Sequence, residues 1–358
     1  MIRLVPRSEA APLWQIATPI LAVLATMITG GILFAIMGYD PVAAIRTIFW
    51  DPLFGQASAY SRPQLLVKAA PLILIASGLA VGFRAGIWNI GAEGQYIIGG
   101  ICGAAVALAA YPGEHWWLFP AMVAAGALGG WAWGMIPAML RNWAGASEIL
   151  VSLMLVYVAQ KVAAWMAFGP MKNPEGFGFP GSRNLQQYPS ASNPELIAGT
   201  GAHWGVVAAA LAVLAIWVLM SRHIRGLHIR ASGLAPRAAR FAGVRPETLV
   251  AFCLGLSGSL AGMAGLFEVA GPAGQITESF GSGYGFTAII VAFLGRLNPL
   301  GILLAGLLLA LTYIGGELAQ LTMQLPAATV QVFQGMLLFF LLGFDLLTRF
   351  RVERRVAA

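Results

Sequence analysis

Leu65–Phe83 reads LLVKAAPLILIASGLAVGF, a run of 19 residues with a single charged side chain, Lys68. At a helical rise of about 1.5 Å per residue such a run covers roughly 28 Å, close to the ~30 Å hydrocarbon core of a bilayer. The same kind of run recurs along the chain, at Trp14–Met37, Tyr96–Ala110, Trp117–Met139, Ile149–Phe168, His203–Met220, Leu249–Ala270, Phe286–Leu294, Gly301–Leu318 and Val330–Leu347. Tyr96–Ala110 is short and follows a glycine-rich stretch. Phe286–Leu294 is shorter still and stops at Arg296, Asn298 and Pro299. The pattern predicts an all-α polytopic membrane protein of about ten transmembrane helices, with short or broken helices in each half. The apolar part of Trp14–Met37 is too long for the core of a cleaved signal peptide, so it is expected to stay as the first span.

Composition agrees. Hydrophobic residues make up 59 % of the 358 and charged residues 10 %, and the mean hydropathy is +0.78. A soluble domain clothes its surface with roughly 25 % charged residues. The net charge of +7 would suggest nucleic acid in a soluble chain, but here position matters more than total. With ten spans and a cytoplasmic N-terminus, the inside segments hold Arg3, Arg7, Arg84, Arg141, Arg222, Arg225, Arg230, Arg237, Arg240, Arg245, Arg296, Arg349, Arg351, Arg354 and Arg355. Only Arg46, Arg62, Lys68, Lys161, Lys172 and Arg183 fall elsewhere. An odd count breaks this phase, so both termini are expected in the cytoplasm, with residues 1–358 forming one transmembrane domain. Its long connections are an external loop, 169–202, and a basic cytoplasmic loop, 221–248.

Cys102 and Cys253 sit inside apolar runs and read as small hydrophobes, and the four histidines do not pair at metal-ligand spacing, so no metal is expected. A phosphate-binding loop needs Gly-Lys-Ser/Thr. Lys68, Lys161 and Lys172 are followed by Ala69, Val162 and Asn173. ATP-driven work would therefore fall to another subunit, and no cofactor and no catalytic residue is expected in this chain.

Four stretches carry the functional reading. Residues 82–100, GFRAGIWNIGAEGQYIIGG, set Asn89, Glu93 and Gln95 in apolar surroundings, where polar groups must face a cavity or one another. They are candidates for a translocation pathway, together with Glu148 at the start of a span and Asn298 at a helix break; a structural hydrogen-bond knot is the competing reading, and Glu148 also suits a helix N-terminus. In residues 222–249, RHIRGLHIRASGLAPRAARFAGVRPETL, Pro236 can open a short helix and Gly243 can end it. That loop is either a docking element or a solvated topology signal. Gly255, Gly258, Gly262 and Gly265 recur at three and four, which puts them on one face for close helix packing. In residues 283–310 a short helix breaks at Gly295–Pro299 before a new one begins.

Asn89-Ile-Gly-Ala-Glu-Gly-Gln95, Ile229-Arg-Ala-Ser-Gly with Ala238-Ala239 and Gly243, and Val291-Ala-Phe-Leu-Gly-Arg-Leu-Asn-Pro299 together resemble the permease subunits of bacterial ABC importers, in the nucleoside and simple-sugar branch related to ribose permeases. The resemblance runs from about residue 65 to 347. It implies a second permease subunit, identical or different, cytoplasmic ATPase subunits that bind the ATP, and an extracytoplasmic substrate-binding lipoprotein, around a permease in the cytoplasmic (inner) membrane. It also implies that Gly226, Arg230, Ala231, Gly233, Arg237, Ala238, Ala239 and Gly243 lie in a helix that couples to the ATPase, the small residues allowing close docking. Nucleosides are the favoured cargo, then simple sugars, then purine-type bases. Val156 stands where similar permeases often carry Asn in a Leu-Met-Leu-Asn-Tyr run. The rival reading is a proton-coupled secondary transporter with Glu93 or Glu148 as carrier.

Overall fold

The computed structural model describes residues 2–6, 12–281 and 283–354. Arg7 and Arg355, both counted above on the inside, lie outside the described residues. The elements in chain order are β1 (Ile2–Pro6), α1 (Pro12–Ile36), α2 (Pro41–Phe49), α3 (Asp51–Phe54), α4 (Ser58–Arg84), α5 (Ala92–Ala110), α6 (Leu118–Ala144), α7 (Glu148–Phe168), α8 (Trp204–Arg222), α9 (Ile224–Leu234), α10 (Pro236–Phe241), α11 (Pro246–Val269), α12 (Tyr284–Leu294), α13 (Pro299–Met323), α14 (Ala327–Arg349) and β2 (Phe350–Arg354). Among the described residues nine helices are long and apolar enough to cross a bilayer, and α12 is a shorter apolar helix. The chain is an all-α, multi-pass membrane protein apart from one small pairing, in which β1 and β2 run antiparallel with Leu4 opposite Val352.

Two compact units divide the chain. The first takes Met1–Arg62 and Leu311–Ala358. Here α1 packs on α14, Phe34 stacks on Phe333 at 6.5 Å, and Ile48 of α2 joins them in the core. The sequence pattern did not anticipate α2 and α3, which are too short to span. Asp40 caps α2 by accepting from the Val42 and Ala43 amides, and Pro41 sits in the first turn, where no N–H is needed.

The second unit, Pro63–Ala310, carries the candidate sites. Its centre is a three-helix contact of α5, α6 and α11. A Cβ on Gly262 would sit 2.2 Å from the Gly126 carbonyl oxygen, and one on Gly265 would sit 1.9 Å from that of Tyr96. The backbones touch because glycine leaves room, which is how apolar helices associate where lipid supplies no hydrophobic drive. The glycine spacing read from the sequence thus marks this seam.

Helix direction follows from the ends. α8 runs from Trp204 to Arg222 and leads into the basic helices α9 and α10, α11 leaves them at Pro246, and Arg84, at the end of α4, lies against Gly233. One face of this unit is therefore arginine-rich, while Gln64, His203 and Ala270 lie at the opposite ends of the same helices. After Arg84 the chain runs through non-helical residues to Gly91, where Asn89 meets Ser257, roughly 17 Å along α11. α5 begins there and climbs 19 residues, so the first-half break lies before the helix rather than within it. Hydropathy placed its start at Tyr96 because Glu93 and Gln95 are polar; both are buried and bonded, and the helix runs through them. On the other side Ile276 and Phe280 are buried, Phe280 stacks on Tyr96 at 5.4 Å, and α12 begins beside Glu93. Its 11 residues cover roughly 16 Å, about half a bilayer. The crossing at Phe286–Leu294 is thus a non-helical stretch joined to a half-helix.

Candidate functional site

Glu93 is where the two interrupted segments meet. It sits in the first turn of α5 and is 1 % exposed. One carboxylate oxygen accepts from the Gly283 amide at 2.8 Å and the other from the Gly285 amide at 2.6 Å. The first N–H groups of any helix lack partners inside it, and a carboxylate at that end also meets the positive end of the helix dipole. Glu93 thus holds the buried end of the half-helix α12. The contact is close: a Cβ on Gly285 would lie 2.2 Å from the Glu93 nitrogen. Gly283, at φ +81°, takes the left-handed turn that brings the chain in.

Asn89 and Gln95 form a second buried centre, one turn away. The Asn89 amide nitrogen donates to Gln95 Oε1 at 2.8 Å and to Ser257 Oγ at 2.9 Å, and Asn89 Oδ1 accepts from the Gly91 amide at 3.0 Å. The Ile90 amide donates to Ser152 Oγ at 3.3 Å. The polar groups face one another, as burial demands, and fasten the irregular stretch before α5 to α7 and α11. Val156 is 1 % exposed and packs against Gly94, keeping the α7 face beside this centre apolar.

Glu148 and Asn298 are held by other partners. Glu148 opens α7, pairs with Arg141 at the end of α6 and accepts from the Trp88 amide at 3.5 Å. Asn298 precedes Pro299, and its side chain accepts from the Leu300 amide at 3.1 Å as a cap on α13. Arg296 and Leu297 hold positive φ between the helices, at +55° and +54°.

On the arginine-rich face the basic loop folds as two helices. Pro236 opens α10, and Gly243 follows it at φ +87°. Gly226, Ala231, Gly233 and Ala239 turn inward. A Cβ on Gly226 would lie 2.3 Å from the Leu219 carbonyl oxygen and one on Gly233 would lie 2.0 Å from that of Arg84; Ala231 packs against the buried cluster that includes Ile229 and Ala239. Arg230 donates to the Met220 carbonyl at 2.8 Å, closing the end of α8. What faces outward is Arg237, Ala238 and Arg240, with Leu234 at 88 % exposure and Phe241 at 94 %. The sequence reading picked out the small residues but not this apolar pair, whose spacing of seven was the available signal. Beside it a cavity of about 270 Å³ is lined by Arg225, His228, Arg245 and Phe252, with the Arg225 guanidinium 4.9 Å from the Phe252 ring centre.

On the opposite face a second cavity, of about 410 Å³, opens between the 169–202 loop, the start of α4 and the end of α11. His203, just outside the α8 span, caps α8: its Nδ1 accepts from the Gly205 amide at 3.0 Å. Burial pushes its imidazole down to about 4. Asn193 accepts from the Trp204 amide and donates to the Phe267 carbonyl. In the sequence His203 reads as the first residue of an apolar run and falls outside metal-ligand spacing, so nothing there singles it out. Among the described residues no cluster suits a metal ion.

The family of permease components of branched-chain amino acid transport systems matches residues 62–342. The chain is 34 % identical to a glucose ABC transporter permease protein of Haloferax volcanii, over 98 % of this chain and 93 % of that protein. It is 26 % identical to a guanosine ABC transporter permease protein of Bacillus subtilis, over 91 % and 92 %. A nucleoside ABC transporter permease protein of Lactococcus lactis subsp. cremoris is also 26 % identical, over 91 % and 90 %. No solved structure gives a significant match. The matched stretch takes in the Glu93 centre, both basic-face helices and the opposite cavity, and the chain belongs to this family of ABC transporter permease components, on the branch with sugar and nucleoside permeases.

Proposed function

We propose that this chain is the membrane-spanning subunit of an ATP-driven importer in the cytoplasmic membrane, carrying a small neutral solute, a sugar or a nucleoside. It is not itself an enzyme: ATP is bound and hydrolysed by a separate ATPase. A second permease subunit and an extracytoplasmic binding lipoprotein complete the assembly. Both termini lie in the cytoplasm, a reading supported by the β1–β2 pairing, which needs both ends on one side and so an even number of crossings. The glucose and nucleoside relatives support the solute class.

The observation that carries the coupling role is the α9–α10 pair. Its glycine and alanine face is seated on the protein, while Leu234 and Phe241 stand almost fully exposed between arginines. Exposed apolar side chains rimmed by charge mark a protein contact. Leu234 and Phe241 would enter an apolar groove of the ATPase, and Arg237 and Arg240 would meet its acidic rim. Gly226, Arg230, Ala231, Gly233, Ala239 and Gly243 would shape the helices that present them. Asn89, Glu93, Gln95, Glu148 and Asn298 would act on the pathway by holding its half-helices. The Glu93 oxygens are both engaged by backbone amides, which suits a cap better than a proton carrier. The test is Phe241→Asp with Leu234→Asp. The doubly substituted protein should insert normally but lose ATPase co-purification and ATP-driven uptake. Normal recovery of the ATPase and normal uptake would refute the docking role.

A further inference from the structure

The cavity opposite the arginine-rich face has the makings of a ligand site. Its volume, about 410 Å³, falls within the ~300–1,000 Å³ of small-molecule clefts. His203 lines it, is 3 % exposed, and has its Nδ1 engaged by the Gly205 amide. That bond makes Nδ1 the acceptor and leaves the proton on Nε2. Nε2 is buried and has no hydrogen-bond partner among the described residues, and a buried donor left alone is costly. Burial holds the ring neutral, so the wall offers an N–H dipole and not a cation.

The remaining polar lining offers acceptor oxygens on Gln64, Gln186 and Glu195. Gln186 donates its amide nitrogen to the Gly271 carbonyl and Gln64 to the Thr200 carbonyl, which leaves the Oε1 of each as an acceptor. Glu195 accepts from the Gly199 amide through Oε2 and has a second oxygen to offer. Among the described residues no Lys or Arg lines the cavity, and the imidazole is its one aromatic ring. An anion would meet Glu195 with nothing to neutralise it. A planar base would lack the ring on which bases stack. Hydroxyl groups fit, because each can donate to a Gln or Glu oxygen and one can accept from His203.

We infer that this cavity, with His203 as donor and Gln64, Gln186 and Glu195 as acceptors, receives a neutral polyhydroxylated solute of the sugar class on its way into the protein. The inference rests on the importer reading and names the place where solute first meets this chain.

The two nitrogens of His203 allow a clean test. Asn at this position can replace Nδ1 as the cap but cannot reach as Nε2 does; Gln can reach but caps poorly. The complete importer is placed in nanodiscs without its binding protein, and equilibrium binding of tritiated D-glucose, D-ribose and adenine is measured. At least one of the two sugars should bind and adenine should not. His203→Asn should weaken sugar binding about tenfold, the equivalent of one buried hydrogen bond, with unchanged thermal unfolding. His203→Gln should restore most of the binding, and Glu195→Gln should also weaken it. Sugar affinity within twofold of wild type in His203→Asn overturns the site, as does adenine binding equal to that of the sugars. Loss of binding-protein docking in His203→Asn, with sugar affinity unchanged, overturns it in favour of a protein contact. If neither sugar binds to a complex that still takes up D-glucose or D-ribose, the site alone fails. If no solute is taken up with ATP, the importer reading fails and the site with it.

Discussion

Replacing Glu93 with Ala should detach the buried end of α12. The wild-type carboxylate accepts two backbone N–H groups, from Gly283 and Gly285, at 2.8 and 2.6 Å. The site is closed: Glu93 is 1 % exposed, and the glycine backbone of 285 sits directly on the start of α5. Water is therefore poorly placed to replace the lost oxygens, and each stranded donor costs roughly 1–3 kcal/mol, or about 2–6 kcal/mol for the pair. The loss of negative charge at the helix N-terminus acts in the same direction. Glu93→Gln keeps one carbonyl oxygen and turns an N–H₂ toward the second amide, so it should lose about half as much. Two assays read this directly. Thermal unfolding of the purified protein should order wild type above Gln above Ala. Hydrogen exchange of the peptide spanning 276–294 should show the first turn of α12 exchanging faster in the Ala variant, while peptides of α6 and α8 stay protected. ATP-driven uptake should fall although the protein still inserts. If Glu93→Ala unfolds at the wild-type temperature and the first turn of α12 keeps its protection, the capping argument is wrong.

Further outcomes are expected elsewhere. Gly262→Ala places a methyl group 2.2 Å from the Gly126 carbonyl oxygen, so α11 must move off α6 at a cost of about 1–3 kcal/mol or more, measurable as reduced thermal stability in detergent; an unchanged midpoint would mean the helices are not in backbone contact. His203 should make the protein acid-sensitive. The unfolded ring takes a proton near pH 6.5 and the folded one only near about 4, so the unfolded state binds more protons between these values. Stability should fall as pH drops through that window, by about 3 kcal/mol at its lower end, and His203→Asn should remove that share of the slope. Arg141→Ala should loosen the α6–α7 junction by leaving Glu148, which is largely buried, without its partner; the check is faster proteolysis near residues 142–148, and wild-type protection there would place the junction's strength elsewhere.

The crossings and the glycine seam were legible in the sequence because both depend on local periodicity. An apolar run of about 20 residues and a spacing of three and four have one structural meaning in lipid. The same logic misread the start of α5. Glu93 and Gln95 lower the local hydropathy, yet their partners are Asn89 and Gly283 in irregular backbone and Gly285 in the first turn of α12, the two glycines about 190 residues away. Hydropathy does not see such bonds. α2 and α3 escaped for the opposite reason: they are too short to span, and only the Asp-Pro pairs at 40–41 and 51–52 announce their starts. In the basic loop Pro236 and Gly243 were readable as start and stop, but the division of its small residues into an inward face and an outward Leu234–Phe241 pair depends on what packs beneath them. The His203 cavity left no signal in the sequence, since it is assembled from residues 64, 186–203 and 270–272.

That a separate ATPase moves this permease can be measured as solute uptake into proteoliposomes that hold this chain with its partner subunits, with ATP inside or absent and with or without a protonophore. D-glucose, D-ribose or guanosine should accumulate only with ATP and the ATPase, indifferent to the protonophore. Uptake that persists without the ATPase and collapses when the proton gradient is dissipated would contradict it.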